Sequence, residues 1–425
     1  MRIGFIGLTH LGLCMSIAAR KLNFEVILSD INPQRIKSAR EAKFDVAEPG
    51  VRDFLLDPSA PFMIVDDLES MEGADLVVVA VDTTLDEIGE NDESEVREIL
   101  AKLYDAMGAE IPVVLASQVR PGFCRSIELP FKSLTYLMET LVFGRGLERA
   151  QHPERLVVGC EVPSKALPGP VQMYLDAFKC PIHVMNYESA ELSKLSANFL
   201  LAASICAANA IAELAENVGA DWPAMEAGLR EDARIGKNAY ITPGPGIGGS
   251  NIARDLYGVM QMSLNAEVSG NFAAAMLESS NYMRRWAVRQ VTDLRIDPDT
   301  AVIGLLGVAY KPGTSSIRDS AGLAVIESLA PRFRILLHDP VVDTRQLAQS
   351  GKLLQAATVE QVLTEAHVVI IGTPYLHYRA EIEGTDLKGK PQIFVDPYRL
   401  LKQDWAATNE CTLFQLGVDC DILAP

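Results

Sequence analysis

The sequence predicts an α/β protein in which two doubly wound, parallel-sheet domains are joined by a long central helix. Three observations carry this. Short apolar strands alternate with helical patterns over roughly the first 160 residues, the same alternation returns after Asp297, and an unbroken alanine- and leucine-rich run lies between. Strands separated by helices form a parallel sheet covered on both faces. A chain of 425 residues also exceeds one ordinary domain.

The first sheet is built from RIGFIGL (2–8), FEVILSD (24–30), ADLVVVAV (74–81), IPVVLAS (111–117) and ERLVVG (154–159). From Ser189 the run SAELSKLSANFLLAASICAANAIAELAENVG holds no proline or glycine until Gly219 and predicts one long helix. Its small residues permit close helix contact, so it predicts a dimer or domain spine. TAVIGLLGVAY (300–310), FRILLHDP (333–340), HVVIIGTP (367–374) and QIFVDPY (392–398) build the second sheet. The partition is 1–186, 187–296 and 297–425.

Apolar residues make up 48% and charged residues 22%, the balance of a soluble globular protein. A net charge of −18 argues against nucleic acid and anionic membranes as partners. It leaves room for a small anion held by local arginines and helix N-termini. The longest apolar run, FLLAASICAA (199–208), is too short to span a bilayer. The N-terminal MRIGFIGLTHLGLCMSIAAR reads as strand, loop and helix, because three glycines and His10 interrupt it. Seven scattered cysteines with no C-x-x-C pair predict a reduced, cytoplasmic protein without structural metal.

The first strand runs into Gly7-Leu8-Thr9-His10-Leu11-Gly12. This is the G-x-G-x-x-G dinucleotide pattern with Thr9 at its middle glycine. Gly7 makes the turn, and the helix that follows directs its N-terminus at a pyrophosphate. Asp30 ends the second strand, where a carboxylate takes the ribose hydroxyls of NAD. A 2′-phosphate about 4 Å away would be repelled by up to ~4 kcal/mol at an effective dielectric near 20. NAD is therefore expected over NADP, with Arg35 the nearby cation that keeps NADP open. Further on, Lys194 and Asn198 share one helix face. A lysine beside an amide can hold a developing alkoxide. GPGIGGSNIARD (244–255) then supplies a glycine-rich loop that ends on an amide, an arginine and an acid.

Eight segments in order resemble the UDP-glucose/GDP-mannose dehydrogenase family: AEPGV (47–51), VDTT (81–84), ASQVRPG (116–122), METLVFG (138–144), ELSKLSANFLLA (191–202), DARIG (232–236), AYKPGTSSIRDS (309–320) and VDPYR (395–399). The family's V-P-T-P has a proline where this chain has Asp82. Gln118 replaces a threonine, and Phe143 replaces a glutamate. The resemblance implies NAD bound by Gly7, Thr9, Gly12, Asp30, Thr83, Gln118 and Arg318. It implies chemistry at Lys194, Asn198, Asp255 and Glu139. It implies a UDP-sugar held by Gly248, Tyr240, Lys311 and Arg399, with Arg234 arriving from the second subunit of a homodimer.

That family oxidises C6 of a nucleotide sugar twice, and the cysteine of G-G-S-C-F-P-K-D captures the intermediate aldehyde. Here the segment reads G-G-S-N-I-A-R-D, with Asn251 at the cysteine position and Arg254 at the lysine. An amide forms no thiohemiacetal. The expectation is one two-electron oxidation of a nucleotide-sugar alcohol, to an aldehyde or ketone, with Asn251 as a hydrogen-bond donor to the reacting oxygen. Two alternatives stand beside it. One is a four-electron 6-dehydrogenase that works without covalent capture. The other is a non-catalytic relative that binds nucleotide sugars.

Overall fold

The computed structural model describes residues 1–43, 48–57, 62–83, 92–142, 144–249, 251–347, 352–387 and 393–419. Ala47, Thr84, Phe143, Ser250, Gln392 and Cys420 of the segments above lie outside them. The chain divides into two compact units, Met1–Ala197 and Asn198–Pro425.

The first unit holds β1 (Arg2–Ile6), β2 (Glu25–Ser29), β3 (Met63–Ile64), β4 (Leu76–Val79), β5 (Val113–Leu115), β6 (Leu134–Leu137), β7 (Leu156–Cys160) and β8 (Ile182–Asn186). They form one sheet in the order β3-β2-β1-β4-β5-β6-β7-β8. The pairings are parallel except between β6 and β7, which run antiparallel. The sequence predicted parallel pairing throughout. The departure arises because the β6–β7 link, with one short helix at Gly146–Gln151, turns the chain back beside β6 instead of carrying it over a sheet face. Side chains alternate between two cores. Ile3, Phe5, Val26, Leu28, Leu76 and Val78 pack on one face. Ile6, Ile27, Val77, Val79, Val113 and Leu115 pack on the other. Strands buried on both faces read as continuous apolar runs, which is why β1, β4 and β5 stand out in the sequence.

The second unit holds β9 (Val302–Leu306), β10 (Arg334–His338), β11 (Leu353–Gln355), β12 (Val368–Ile371), β13 (Ile393–Asp396) and β14 (Thr412–Gln415). Their order is β11-β10-β9-β12-β13-β14, all parallel. Each sheet thus turns about its first strand, the doubly wound arrangement that places ligands beyond the carboxyl ends of the strands.

The spine helix runs from Tyr187 to Val218, 32 residues. By length and composition it is apolar enough to cross a membrane, with a mean hydropathy of 1.6 over its most apolar 18 residues. The longest-run estimate missed this because scattered polar residues break the run. Those polar residues are bound into protein. Glu191, wholly buried, accepts the N–H groups of Gly122 (2.5 Å) and Cys124 (2.8 Å). Asn209, also wholly buried, accepts from Gly244 N at 2.9 Å. Buried polar groups with protein partners of this kind belong to a helix packed within a protein.

Candidate active site

The dinucleotide turn is tightly built. Gly7 adopts φ +122°, and a Cβ there would lie 2.3 Å from the Ala80 carbonyl oxygen. At Gly12 a Cβ would lie 1.8 Å from the Gly7 carbonyl oxygen. Both must be glycine for the helix His10–Lys21 to close on the end of β1. Thr9 precedes that helix as its N-cap. Its hydroxyl accepts from Asp82 N at 3.1 Å and donates to the Ala80 carbonyl at 3.5 Å. The threonine that replaces the middle glycine therefore points its side chain at the turn after β4, which is why its bulk is accommodated.

Asp30 is 3% exposed. Its oxygens accept from Leu8 N and Asn32 N, both at 2.8 Å. Burial pushes its carboxyl above the ordinary value, against these two N–H groups and the Arg35 guanidinium. Arg35 itself is gripped by the Glu95 carboxylate through both terminal nitrogens and stands 3.5 Å from Asp30. The Thr83 hydroxyl donates to the Gln118 carbonyl at 3.0 Å, linking the ends of β4 and β5. Gln118 is buried. Gly7, Thr9, Gly12, Asp30, Thr83 and Gln118 thus gather at the carboxyl ends of β1, β2, β4 and β5, and they fit a dinucleotide. Arg318 stands in the second unit, exposed, its carbonyl accepting from Gly249 N at 2.9 Å.

Two acid–base groupings flank the Ala197–Asn198 junction on the spine helix. In the first unit the Lys194 ammonium is ion-paired with the Glu139 carboxylate and donates to the Glu139 carbonyl at 3.2 Å. Their side chains are 12% and 14% exposed. Glu139 also accepts from Leu141 N at 2.9 Å. In the second unit Asn198 Nδ2 donates to Asp255 Oδ2 at 2.5 Å, and Arg254 Nε lies 3.3 Å from Asp255 Oδ1. Asp255 is 2% exposed. Asn251 is exposed and opens the helix Asn251–Asn265, one turn before Asp255.

Spacing marks Lys194 and Asn198, and the loop motif marks Asp255, but neither pairs Lys194 with Glu139 or Arg254 with Asp255. Neither gives a role to His10 and Glu48. These meet at 2.9 Å in a buried contact, His10 Nε2 to Glu48 Oε2. Glu48 further accepts from Gly144 N (2.9 Å) and Leu147 N (3.3 Å), tying the chain beyond Glu139 to the dinucleotide helix.

The remaining candidates lie in the second unit. A Cβ on Gly248 would come within 2.8 Å of Tyr310 Cβ, and one on Gly249 (φ +77°) within 2.9 Å of its ring. The loop glycines therefore make room for Tyr310. The ammonium of Lys311 lies 5.6 Å from the same ring. Arg399 adopts φ +55° and donates to Glu226 at 3.3 Å. Glu226 also accepts from Arg230 and from the Thr242 hydroxyl, and Arg230 holds the Lys237 and Ala239 carbonyls. The Tyr240 loop and Arg399 are thus tied to one carboxylate. Among the described residues the Nη1 of Arg399 is buried without a partner, a donor suited to a ligand oxygen. Tyr240 is 61% exposed. Arg234 is 89% exposed and bound to Asp232 at 2.5 Å.

Residues 1–168 match the NAD binding domain of the UDP-glucose/GDP-mannose dehydrogenase family, 188–282 its central domain and 304–403 its UDP binding domain. The UDP-glucose 6-dehydrogenase TuaD of Bacillus subtilis is 26% identical over 372 residues, covering 84% of this chain and 80% of its own. That of Rickettsia bellii is 25% identical over 420 residues, covering 95% and 96%. A UDP-glucose dehydrogenase structure from Pyrobaculum islandicum superposes with a TM-score of 0.82 at 25% identity, over 98% of each chain. A UDP-D-ManNAc dehydrogenase from Pyrococcus horikoshii shares the fold, with a TM-score of 0.78 at 21% identity over 98% of this chain and 99% of that one. With the dinucleotide turn, the spine helix from its second residue on and the Arg399 loop inside the matched spans, the chain belongs to the UDP-glucose/GDP-mannose dehydrogenase family and uses NAD as its cofactor.

Proposed function

We propose that this protein oxidises an alcohol of a nucleotide sugar, a UDP-sugar first, in a single two-electron step and releases an aldehyde or ketone. The observation that carries this is Asn251 at the head of its helix, one turn from the Asn198–Asp255 hydrogen bond. Among the described residues no thiol takes over its place. In each of the six described cysteines the thiol is pushed upward, burial being the first cause. A poised nucleophile requires the opposite shift. Cys206, on the spine helix, donates to the Met276 carbonyl at 3.4 Å.

Bound NAD supplies the acceptor for the hydride that leaves the substrate carbon. The protein's own groups manage the proton and the developing negative charge. Asp255, directly or through a water, takes the hydroxyl proton. The Lys194 ammonium steadies the alkoxide oxygen, and Asn198 and Arg254 fix the Asp255 carboxylate. Asn251 donates a hydrogen bond to the same oxygen. Glu139 holds Lys194 in position, as their ion pair supports. Lys311 and Arg399 anchor the diphosphate end, Tyr240 and Gly248 line it, and Arg234 reaches the site of a second copy.

The test is NADH counted per sugar, across a panel of nucleotide sugars, with products identified by mass. One NADH per sugar is expected. Asn251→Cys is expected to form a covalent adduct and move toward two. Two NADH at comparable rates from the unmodified protein would sink the reading.

A further inference from the structure

We propose that Asp82 is a built-in competitor of the cofactor's phosphates, and that NAD affinity is set by how readily its carboxylate leaves the first helix. Asp82 follows β4 and is exposed. Its Oδ2 accepts from Leu11 N at 3.2 Å, an N–H in the first turn of the helix His10–Lys21. Its own N–H donates to the Thr9 hydroxyl at 3.1 Å. Asp82 is therefore latched to that helix end twice, once through its backbone and once through its charge.

This helix end is where the dinucleotide fold places a pyrophosphate, because first-turn N–H groups and the helix dipole favour an anion there. The first turn of the helix carries no acidic residue of its own. The carboxylate that satisfies it comes from Asp82, at the position where the family's V-P-T-P has an uncharged proline. An incoming pyrophosphate needs the N–H that Asp82 holds, and after displacement it meets a like charge on the same short turn. Asp30 does not repeat this conflict. It sits at the end of β2, with its oxygens on Leu8 N and Asn32 N, where the ribose carries hydroxyls rather than charge.

The inference rests on NAD as the cofactor and not on the fate of the sugar, so it is tested without any sugar. Calorimetry on the full chain would compare NAD with adenosine, for the parent, Asp82→Asn and Asp82→Ala. Asparagine keeps the shape and removes the charge; alanine removes the acceptor as well. Both variants are expected to bind NAD about tenfold more tightly at low salt, about 1.4 kcal/mol. The gain should shrink as added salt screens the exposed charge. Adenosine, which lacks phosphate, is expected to bind all three proteins alike. Unchanged or weaker NAD binding in both variants would overturn the proposal. So would an equal gain for adenosine, which would point to a rearranged loop instead of a removed charge.

Discussion

At Asp30 two backbone N–H groups and a guanidinium converge on a carboxylate that is 3% exposed. A carboxylate offers about four acceptor positions; Leu8 N, Asn32 N and Arg35 take three of them, which leaves one for a ribose hydroxyl of NAD. Arg35, the one feature that kept NADP open in the sequence, is committed to Glu95. A 2′-phosphate would therefore face Asp30 with its neighbouring cation already engaged. NAD is expected to bind at least tenfold more tightly than NADP, and Asp30→Ala should narrow that gap. Equal calorimetric affinities in the parent would refute the assignment. Local spacing marks Asp30, at the end of a strand, and Lys194 and Asn198, at i and i+4 on a helix, while the glycine-rich loop and the family resemblance mark Asp255. The pairings between side chains were not legible. Glu139 reaches Lys194 across 55 positions, and Glu48 reaches His10 across 38. A long-range contact leaves no periodic trace in a sequence.

The same contrast holds for elements. The central strands and the spine helix were legible because burial on both faces, or 32 residues without a breaker, leaves a long signal. Strands β3 and β11 have only two and three residues, and β8 is half exposed, so their patterns are too short or too mixed to read. The spine helix carries a further pattern on its outer side. Leu192, Leu200, Ile211, Leu214 and Val218 are all exposed, Leu200 at 65% and Val218 at 67%. At 3.6 residues per turn they fall in one stripe about 100° wide. Glu191, Ala202, Asn209 and Ala212, all wholly buried, lie on the other side. A continuous apolar stripe of this kind marks an interaction face, and the homodimer proposed above would cover it. Leu200→Glu combined with Leu214→Glu is expected to give a monomer in sedimentation velocity at micromolar concentration, against a dimer for the parent. A monomeric parent would remove both the dimer and the partner role given to Arg234.

At the largest scale, three distant segments of the second unit meet on one carboxylate, and global stability should feel its titration. Glu216, on the spine helix, accepts from Gly417 N at 2.7 Å and from Trp286 Nε1 at 3.2 Å. Burial pushes its pKa up to about 7; Glu213 adds to the rise, while the two donors and Arg289 oppose it. The folded value then exceeds the unfolded one of about 4.3. The folded state keeps a proton that the unfolded state has released. The group's favourable contribution is full below the unfolded pKa and is lost as pH rises through 7. The loss is on the order of 2 kcal/mol once solvent screening of this partly exposed side chain is allowed for. Asp396, also raised by burial, to about 6, pulls in the same direction, so the parent alone cannot isolate Glu216. Glu216→Gln does, because it keeps the oxygen that accepts from Gly417 and Trp286 and no longer titrates, so any fixed cost of its NH2 group beside Trp286 is the same at every pH. Urea unfolding of both proteins between about pH 5 and pH 8 should show the variant gaining on the parent by that amount as pH rises. A parent-to-variant difference that stays constant across the range would mean that Glu216 is charged throughout, and that its partners outweigh its burial.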